Sequence, residues 1–246
     1  MRILFTNDDG YDSEGLHAVA DLFKGHDIAV VAPDTQKSGF SHSLTLHPQL
    51  LSCKEISGYG YKTYAVGGTP VDCVKFGAST LFGAPDMVIS GINRGRNLGS
   101  DVMYSGTISA AADAAHLGFR AIALSLDCDK PTRADFARFA EFVHANFDAL
   151  ADVELPPKTF LNINHPDCAP RGVKVCKMST LDSFVDVYDC VRSDIYMPHG
   201  HRCYDMLDPD TDEAYCGGGY ITVSPLTVDR TDYSTLEKIK RTSFAL

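Results

Sequence analysis

Short apolar runs of strand length alternate with segments of helical periodicity through most of the chain, and this alternation leaves few folds open. Ile3–Thr6, Ile28–Ala32, Thr63–Val66, Met87–Ser90, Ala121–Leu126 and Phe160–Ile163 read as strands. Between them, Ser13–Phe23, Val71–Leu81, Thr107–Leu117 and Arg133–Leu150 read as helices; in the first, Leu16, Val19, Leu22 and Phe23 recur at helical spacing. Strands such as Ile28–Ala32 are apolar throughout rather than alternating, as expected when both faces are buried. Parallel sheets are buried in this way, because each crossover lays a helix on one face. The pattern predicts an α/β fold with a mostly parallel sheet covered on both sides. After about Gly172 the character changes. Val173–Lys177, Phe184–Tyr188 and Tyr220–Ser224 read as strands between Gly-, Asp- and Pro-rich turns, and His199–Gly219 is polar and turn-dense. The chain therefore divides into a core, 1–172, and a β-rich C-terminal extension, 173–246. The extension has little apolar surface of its own and needs the core or a partner subunit to lie on.

Composition removes several classes of function. A formal charge of −10 argues against a protein that binds nucleic-acid polymers through their backbone. The chain opens directly on strand residues, and no apolar run approaches membrane-spanning length, so neither a leader nor a membrane partner is expected. Eight cysteines are scattered without Cys-x-x-Cys spacing. That favours reduced thiols in a cytoplasmic protein over a zinc site or a disulfide scaffold. An acidic protein that handles an anionic substrate must also offset its own field locally, through a metal, helix N-termini or a few placed cations.

The first strand supplies the chemistry. It runs into Asn7-Asp8-Asp9-Gly10, placing two adjacent carboxylates where open α/β sheets bind ligands. Paired like charges repel, and a cation between them lowers the cost. A surface turn with one aspartate capping the next helix is the competing reading. Two more loops leave strand ends on the same rim, Ser38-Gly39-Phe40-Ser41-His42-Ser43 and Ser90–Gly99 with Asn93, Arg94, Arg96 and Asn97. Carboxylates, a hydroxyl and an amide carbonyl make a hard oxygen shell of the kind Mg²⁺ or Mn²⁺ prefers. Directly after comes Ser105-Gly106-Thr107, opening a helix whose first amides and dipole suit a phosphate, although Ser and Thr are also ordinary helix caps.

These segments resemble the SurE (survival protein E) family of phosphatases. The resemblance is carried by Asn7-Asp8-Asp9-Gly10, Ala32-Pro33-Asp34 leading to Ser38-Gly39, and Gly67-Gly68-Thr69-Pro70-Val71-Asp72-Cys73-Val74. It continues through Ser90-Gly91-Ile92-Asn93-x-Gly95-x-Asn97-Leu98-Gly99, Tyr104-Ser105-Gly106-Thr107, Thr211-Asp212, and Gly219-Tyr220 through Asp229. It implies a three-layer Rossmann-like core with an extended C-terminal portion used in oligomerisation, as a homodimer or homotetramer. It also implies metal-dependent hydrolysis of nucleoside monophosphates at the 5′ and 3′ positions, with short-chain polyphosphate activity in some members. The family's metal ligands fall on Asp8, Asp9, Ser38 and Asn93, which would hold one Mn²⁺ or Mg²⁺ per subunit. Thr35-Gln36-Lys37, where the family usually carries an arginine, and His42, Arg94 and Arg96 depart from the family pattern.

The expected mechanism uses water as nucleophile. Asp8 and Asp9 act as ligands, one of them taking a proton from the water, and Asn93 orients phosphate or that water. Gly39, Ser41, Asn97, Ser105, Gly106 and Thr107 are the expected phosphate contacts, with His42, Arg94 and Arg96 as further candidates. The central strand ends Val88-Ile89-Ser90-Gly91 without a carboxylate, so an aspartyl-phosphate of the receiver-domain type is unavailable there. A non-catalytic, metal-dependent nucleotide-binding or sensing protein is the rival from another class.

Overall fold

The computed structural model describes residues 1–181, 184–202 and 208–242. Its main sheet has nine strands in the order β3-β4-β2-β1-β5-β6-β7-β11-β8. These are β1 (Arg2–Thr6), β2 (Asp27–Pro33), β3 (Cys53–Ile56), β4 (Lys62–Val66), β5 (Met87–Arg94), β6 (Arg120–Leu126), β7 (Thr159–His165), β8 (Val173–Val175) and β11 (Ile221–Thr227). The strands from β4 to β7 pair in parallel, while β3 at one edge runs antiparallel to β4, and β11 runs antiparallel to β7 and parallel to β8. Chain order reverses between β1 and β5. This is the switch point at which such sheets open a crevice beyond the strand ends.

Alternation along the strands builds two unlike faces. Ile3, Phe5, Val30, Ile89, Ile122 and Leu124 lie in one buried cluster, whereas Leu4, Val31, Val88, Ala121 and Ala123 lie in the other. The first, bulky face is covered by α1 (Glu14–Ala20), α4 (Arg133–Ala145) and α5 (Phe147–Asp152). The second is covered by α2 (Pro70–Phe76) and α3 (Gly106–His116). Alanines on β6 face alanines 110, 111, 114 and 115 on α3, all of them buried, so this helix lies close against the sheet. That brings its N-terminus to the rim beside β1.

The expected three-layer α/β architecture is present, with differences that have local causes. The helix expected over Arg133–Leu150 is two helices, because Asn146 turns its side chain back to the Phe142 carbonyl (2.8 Å) and ends α4. The helix expected over Val71–Leu81 stops at Phe76 and continues as a wider π turn, Gly77–Leu81. Strand β5 runs on through Gly91 to Arg94, where a loop was expected. It does so across an irregularity between Ser90 and Asn93 in its pairing with β6. Strand β3 has mostly exposed side chains and gives no apolar signal.

In the C-terminal portion, β11 and β8 extend the main sheet. The strands β9 (Phe184–Arg192) and β10 (Ile195–Arg202) form a separate antiparallel ribbon. Two helices, α6 (Asp212–Gly217) and α7 (Tyr233–Ile239), complete the described chain. Among the described residues, no helix is long and apolar enough to cross a membrane.

Candidate active site

The β1–α1 loop is folded on Asn7. Its buried Nδ2 donates to the Gly10 carbonyl (3.0 Å) and to Ser13 Oγ (2.6 Å), and its Oδ1 accepts from the Gly10 amide (3.2 Å). Asp8 and Asp9 leave this turn into different surroundings. Asp8 is only 3% exposed, receives the Thr107 hydroxyl and is backed by Gly106. A Cβ at position 106 would lie 2.8 Å from the Asp8 Cβ and 3.0 Å from Pro70 Cγ, so glycine is what lets the α3 N-terminus reach the carboxylate. Burial, reinforced by the charge of Asp9, pushes the Asp8 carboxyl up to about 6 against the opposing pull of Thr107. Asp9 is half-buried. Burial raises it too, partly offset by the Arg94 amide, which donates to its Oδ2 at 3.1 Å, and by the Arg94 charge.

The other rim loops are tied to this pair. The Lys37 amide donates to the Asp8 carbonyl (2.7 Å), which brings the exposed Ser38 alongside; Gln36 Nε2 donates to Ser38 Oγ (3.0 Å). Asn93 lies at the irregularity in β5, is 8% exposed, and gives its Nδ2 to the Gly95 carbonyl (2.9 Å). Such irregularities re-aim side chains at sheet rims. With Nδ2 committed, the end of the amide suited to a cation is Oδ1. The two loops thus add a hydroxyl, Ser38 Oγ, and an amide oxygen, Asn93 Oδ1, to the two carboxylates as oxygen donors of this rim. Among the described residues, no group of three or more His, Cys, Asp or Glu side chains gathers to hold a metal. An all-oxygen set around a buried, charge-stressed carboxylate fits a hard divalent cation.

Several residues expected to contact phosphate are committed elsewhere. Ser105 caps α3 by accepting from the Ile108 amide (3.1 Å), and the Thr107 hydroxyl is spent on Asp8. The anion that this helix terminus meets is thus Asp8 itself. Ser41 gives its hydroxyl to the Met103 carbonyl (2.6 Å) and its amide to the Tyr104 carbonyl (3.1 Å). Asn97 is buried and turned inward. Its Nδ2 donates to Ser125 Oγ (2.7 Å), its amide to Asn164 Oδ1 (2.9 Å), and its carbonyl accepts from Asn162 (2.8 Å) and Asn164 (3.2 Å). Arg96 is held between Asp101 (3.9 Å) and Asp127 (3.7 Å) with a side chain only 10% exposed. Arg94 lies beside the pair but anchors its guanidinium on the Asp129 carbonyl (2.7 and 3.0 Å). His42 lies 3.5 Å from Asp113 Oδ1, and the other carboxylate oxygen is 3.4 Å from Lys75.

Some supporting residues were missed from the sequence. Asp72 closes a capping box with Thr69 at the start of α2 and also accepts from the Thr45 amide (3.1 Å) and hydroxyl (2.7 Å), securing the end of the Ser38–Ser43 loop. The Thr-Pro-x-Asp pattern of that box was available as a signal. Asn162 and Asn164 were also legible in principle, as two polar residues at strand spacing flanking Ile163 in the apolar run that opens at Phe160. A cleft of about 770 Å³ opens beside the site along α3, between His42, Met103 and Ser109 at one side and Phe160, Leu226 and Arg230 at the other. The acidic pair is not among its lining residues.

The class so defined is a doubly wound α/β protein with an oxygen-only acidic site at its switch point. The family model for survival protein SurE matches residues 3–183, and the chain belongs to that family. It is 41% identical to 5′-nucleotidase SurE of Pelotomaculum thermopropionicum (strain DSM 13744 / JCM 10971 / SI), with 98% of this chain and 95% of that protein aligned. It is 38% identical to 5′-nucleotidase SurE of Nitratidesulfovibrio vulgaris (strain DP4), over 97% of this chain and 98% of that protein. The crystal structure of the SurE protein from Aquifex aeolicus superposes with a TM-score of 0.84 at 32% identity, covering 98% of both chains.

Proposed function

We propose that this chain is a divalent-metal-dependent 5′-nucleotidase, a phosphomonoesterase acting on nucleoside monophosphates. The observation that carries the reading is the buried Asp8 carboxylate beside Asp9, held by Thr107 at the sheet's switch point. Its charge is stressed by burial and by its neighbour, a condition a bound cation relieves. The names of the relatives supply the substrate class. Asp8, Asp9, Ser38 and Asn93 are the proposed ligands, for one Mn²⁺ or Mg²⁺ per subunit. When bound, the cation supplies Lewis-acid polarisation of a phosphoryl oxygen and a nucleophilic water at neutral pH.

The chain's own residues do the positioning. Thr107 fixes the rotamer of Asp8, an outer layer of support of the kind that tunes metal affinity. Asp9, the more accessible carboxylate, is the proposed acceptor of a proton from the attacking water. The peptide groups of Gly39 and Gly106 remain as proposed phosphate donors together with the Ser105 hydroxyl, which accepts from the Ile108 amide and keeps its own O–H to give, whereas the hydroxyls of Ser41 and Thr107 are occupied. Cleavage of 3′-nucleotides and short polyphosphates belongs to the same proposal, as does assembly as a homodimer or homotetramer. The cysteines among the described residues are free thiols, which suits the proposed cytoplasmic location.

The test is phosphate release from a panel of nucleoside monophosphates by the metal-stripped protein, before and after addition of Mn²⁺ or Mg²⁺. Metal-dependent release is expected. Saturable nucleotide binding without release, by folded protein under either metal, would replace the enzyme with a nucleotide-binding protein on the same scaffold.

A further inference from the structure

We propose that Asp212, far along the C-terminal portion, is a positioning residue of the active site: its carboxylate pins the turn through which the Asn93, Ser38 and Gly106 segments are fixed to one another. The linkage rests on geometry alone; its consequence for metal binding rests on the proposed function.

Asp212 is 0% exposed. Its carboxylate accepts backbone N–H groups from Gly99 (3.1 Å), Ser179 (2.8 Å) and Glu213 (2.9 Å). A buried carboxylate is costly unless it is bonded in this way, so the position of the side chain and the positions of those amides are specified together. Gly99 opens the short 3₁₀ turn Gly99–Met103, and the first amides of a helical turn have no partner inside it. Asp212 supplies one. Gly99 is also in the left-handed region (φ +50°), and a Cβ there would lie 2.9 Å from the Glu213 carboxyl carbon, so the turn is clamped between two successive residues of the C-terminal portion.

The same turn has three outlets into the site. Upstream it continues the segment that carries Asn93. Downstream it leads through Tyr104 to Ser105, Gly106 and Thr107, which hold Asp8. Sideways, the Met103 and Tyr104 carbonyls receive the hydroxyl and the amide of Ser41, which anchors the loop carrying Ser38. Asp212 touches none of the proposed ligands, and it acts on them through this turn.

The experiment compares the full-length protein with Asp212→Asn. The asparagine is the same size, but it can offer its carbonyl to Ser179 and Glu213 only by turning its NH₂ toward the Gly99 amide, donor against donor. Hydrogen–deuterium exchange is expected to accelerate by on the order of fivefold, the equivalent of one net hydrogen bond, in residues 98–104 and in the 38–43 loop. Mn²⁺ affinity, measured by calorimetry on the stripped protein, is expected to fall about tenfold, the lower end for loss of an outer-layer support. Faster exchange confined to residues 177–181 and 210–218, with Mn²⁺ affinity unchanged, would overturn the inference and leave Asp212 as an anchor of its own segment. If Asp212→Asn does not fold, Ser41→Ala cuts the relay at its other end. Faster exchange must then appear in both 38–43 and 98–104, and a change in 38–43 alone would overturn the linkage. A wild-type protein that neither binds Mn²⁺ nor releases phosphate would refute the proposed function, while the exchange measurements still decide the linkage.

Discussion

The centre of the main sheet and the β9–β10 ribbon are both paired strands, yet they bury their side chains in opposite degrees. Ile3, Leu4 and Phe5 on β1 are 0% exposed, whereas Tyr188, Val191 and Tyr196 on the ribbon are 65%, 60% and 59% exposed. Among the described residues, the ribbon's extensive contacts are between its own two strands. Backbone pairing is common to both regions, so it is not what creates a place for chemistry. Two covered faces do that. They make a dry rim at the strand ends, where a carboxylate such as Asp8 loses its water and is driven toward a cation or a proton. The ribbon pairs each of its strands on one side and leaves many of its apolar side chains exposed.

The strongest way to break the comparison is at the dry rim itself. Asp8→Asn keeps an oxygen to accept the Thr107 hydroxyl but removes the charge. Turnover is expected to fall by at least about a hundredfold, the scale set by loss of one placed electrostatic group, as measured by phosphate release under saturating Mn²⁺. The same substitution should stabilise the metal-stripped protein. A carboxyl raised from 3.8 to about 6 on folding binds a proton more tightly in the folded state, so its contribution falls as pH rises from about 4 through about 6. The deficit at neutral pH amounts to at most about 3 kcal/mol. Stripped Asp8→Asn should therefore melt above stripped wild type at pH 7, with the difference closing below about pH 4. A lower melting temperature at pH 7 would show that the Asp8 charge is already compensated within the chain.

The bulky face supplies the stability on which that rim depends. Phe139 on α4 is 0% exposed, with its ring 5.1 Å from that of His165. Phe139→Ala should cost about 3–5 kcal/mol in denaturant unfolding, through lost transfer energy and a residual cavity. Mn²⁺ affinity of the folded fraction should be retained. If affinity fell in proportion to stability, the bulky face and the rim would be one cooperative unit rather than a support and a site.

Much of this division was legible in the sequence, for physical reasons that also set its limits. Apolar runs such as Ile28–Ala32 reveal burial on both faces, and Asn7-Asp8-Asp9-Gly10 stands out because adjacent carboxylates need a reason. What a side chain does with its hydrogen bonds is not written locally. Thr107 reads equally well as a phosphate donor or as a partner for Asp8, and only the approach of α3, permitted by Gly106, decides between them. Arg96 reads as a surface cation, although it is closed between Asp101 and Asp127, one from its own loop and the other the residue that follows β6. Asp212 and Gly99 are more than a hundred positions apart. No pattern within either segment joins them.

A finer test lies at the α3 terminus. Gly106→Ala places a methyl group against the Asp8 side chain and Pro70. Neither neighbour can yield easily, since Asp8 is bonded to Thr107 and Pro70 opens α2. The helix must therefore retreat from the carboxylate. Mn²⁺ affinity is expected to fall by about ten- to a hundredfold, as for other losses of outer-layer support, while denaturant stability changes by no more than about 1–3 kcal/mol. Unchanged affinity in calorimetry would mean that the close approach is packing without consequence for the site.

The smallest effect is expected on the ribbon. Tyr188→Ala removes a side chain that is already 65% exposed, so folding of a single chain loses almost none of its buried area. Its stability should stay within about 0.5 kcal/mol of wild type, the range for surface substitutions away from packed features. The unfolding midpoint, measured at low protein concentration, checks this. Raising the protein concentration then sharpens the comparison. If a second copy covers the ribbon, wild type gains stability with concentration by mass action and Tyr188→Ala gains less, with a matching shift in sedimentation toward the smaller species. If both proteins respond to concentration alike, the ribbon is bare in the assembly as well as in the chain. The contrast with β1 would then be complete, one pair of strands owing its order to a core and the other to its backbone alone.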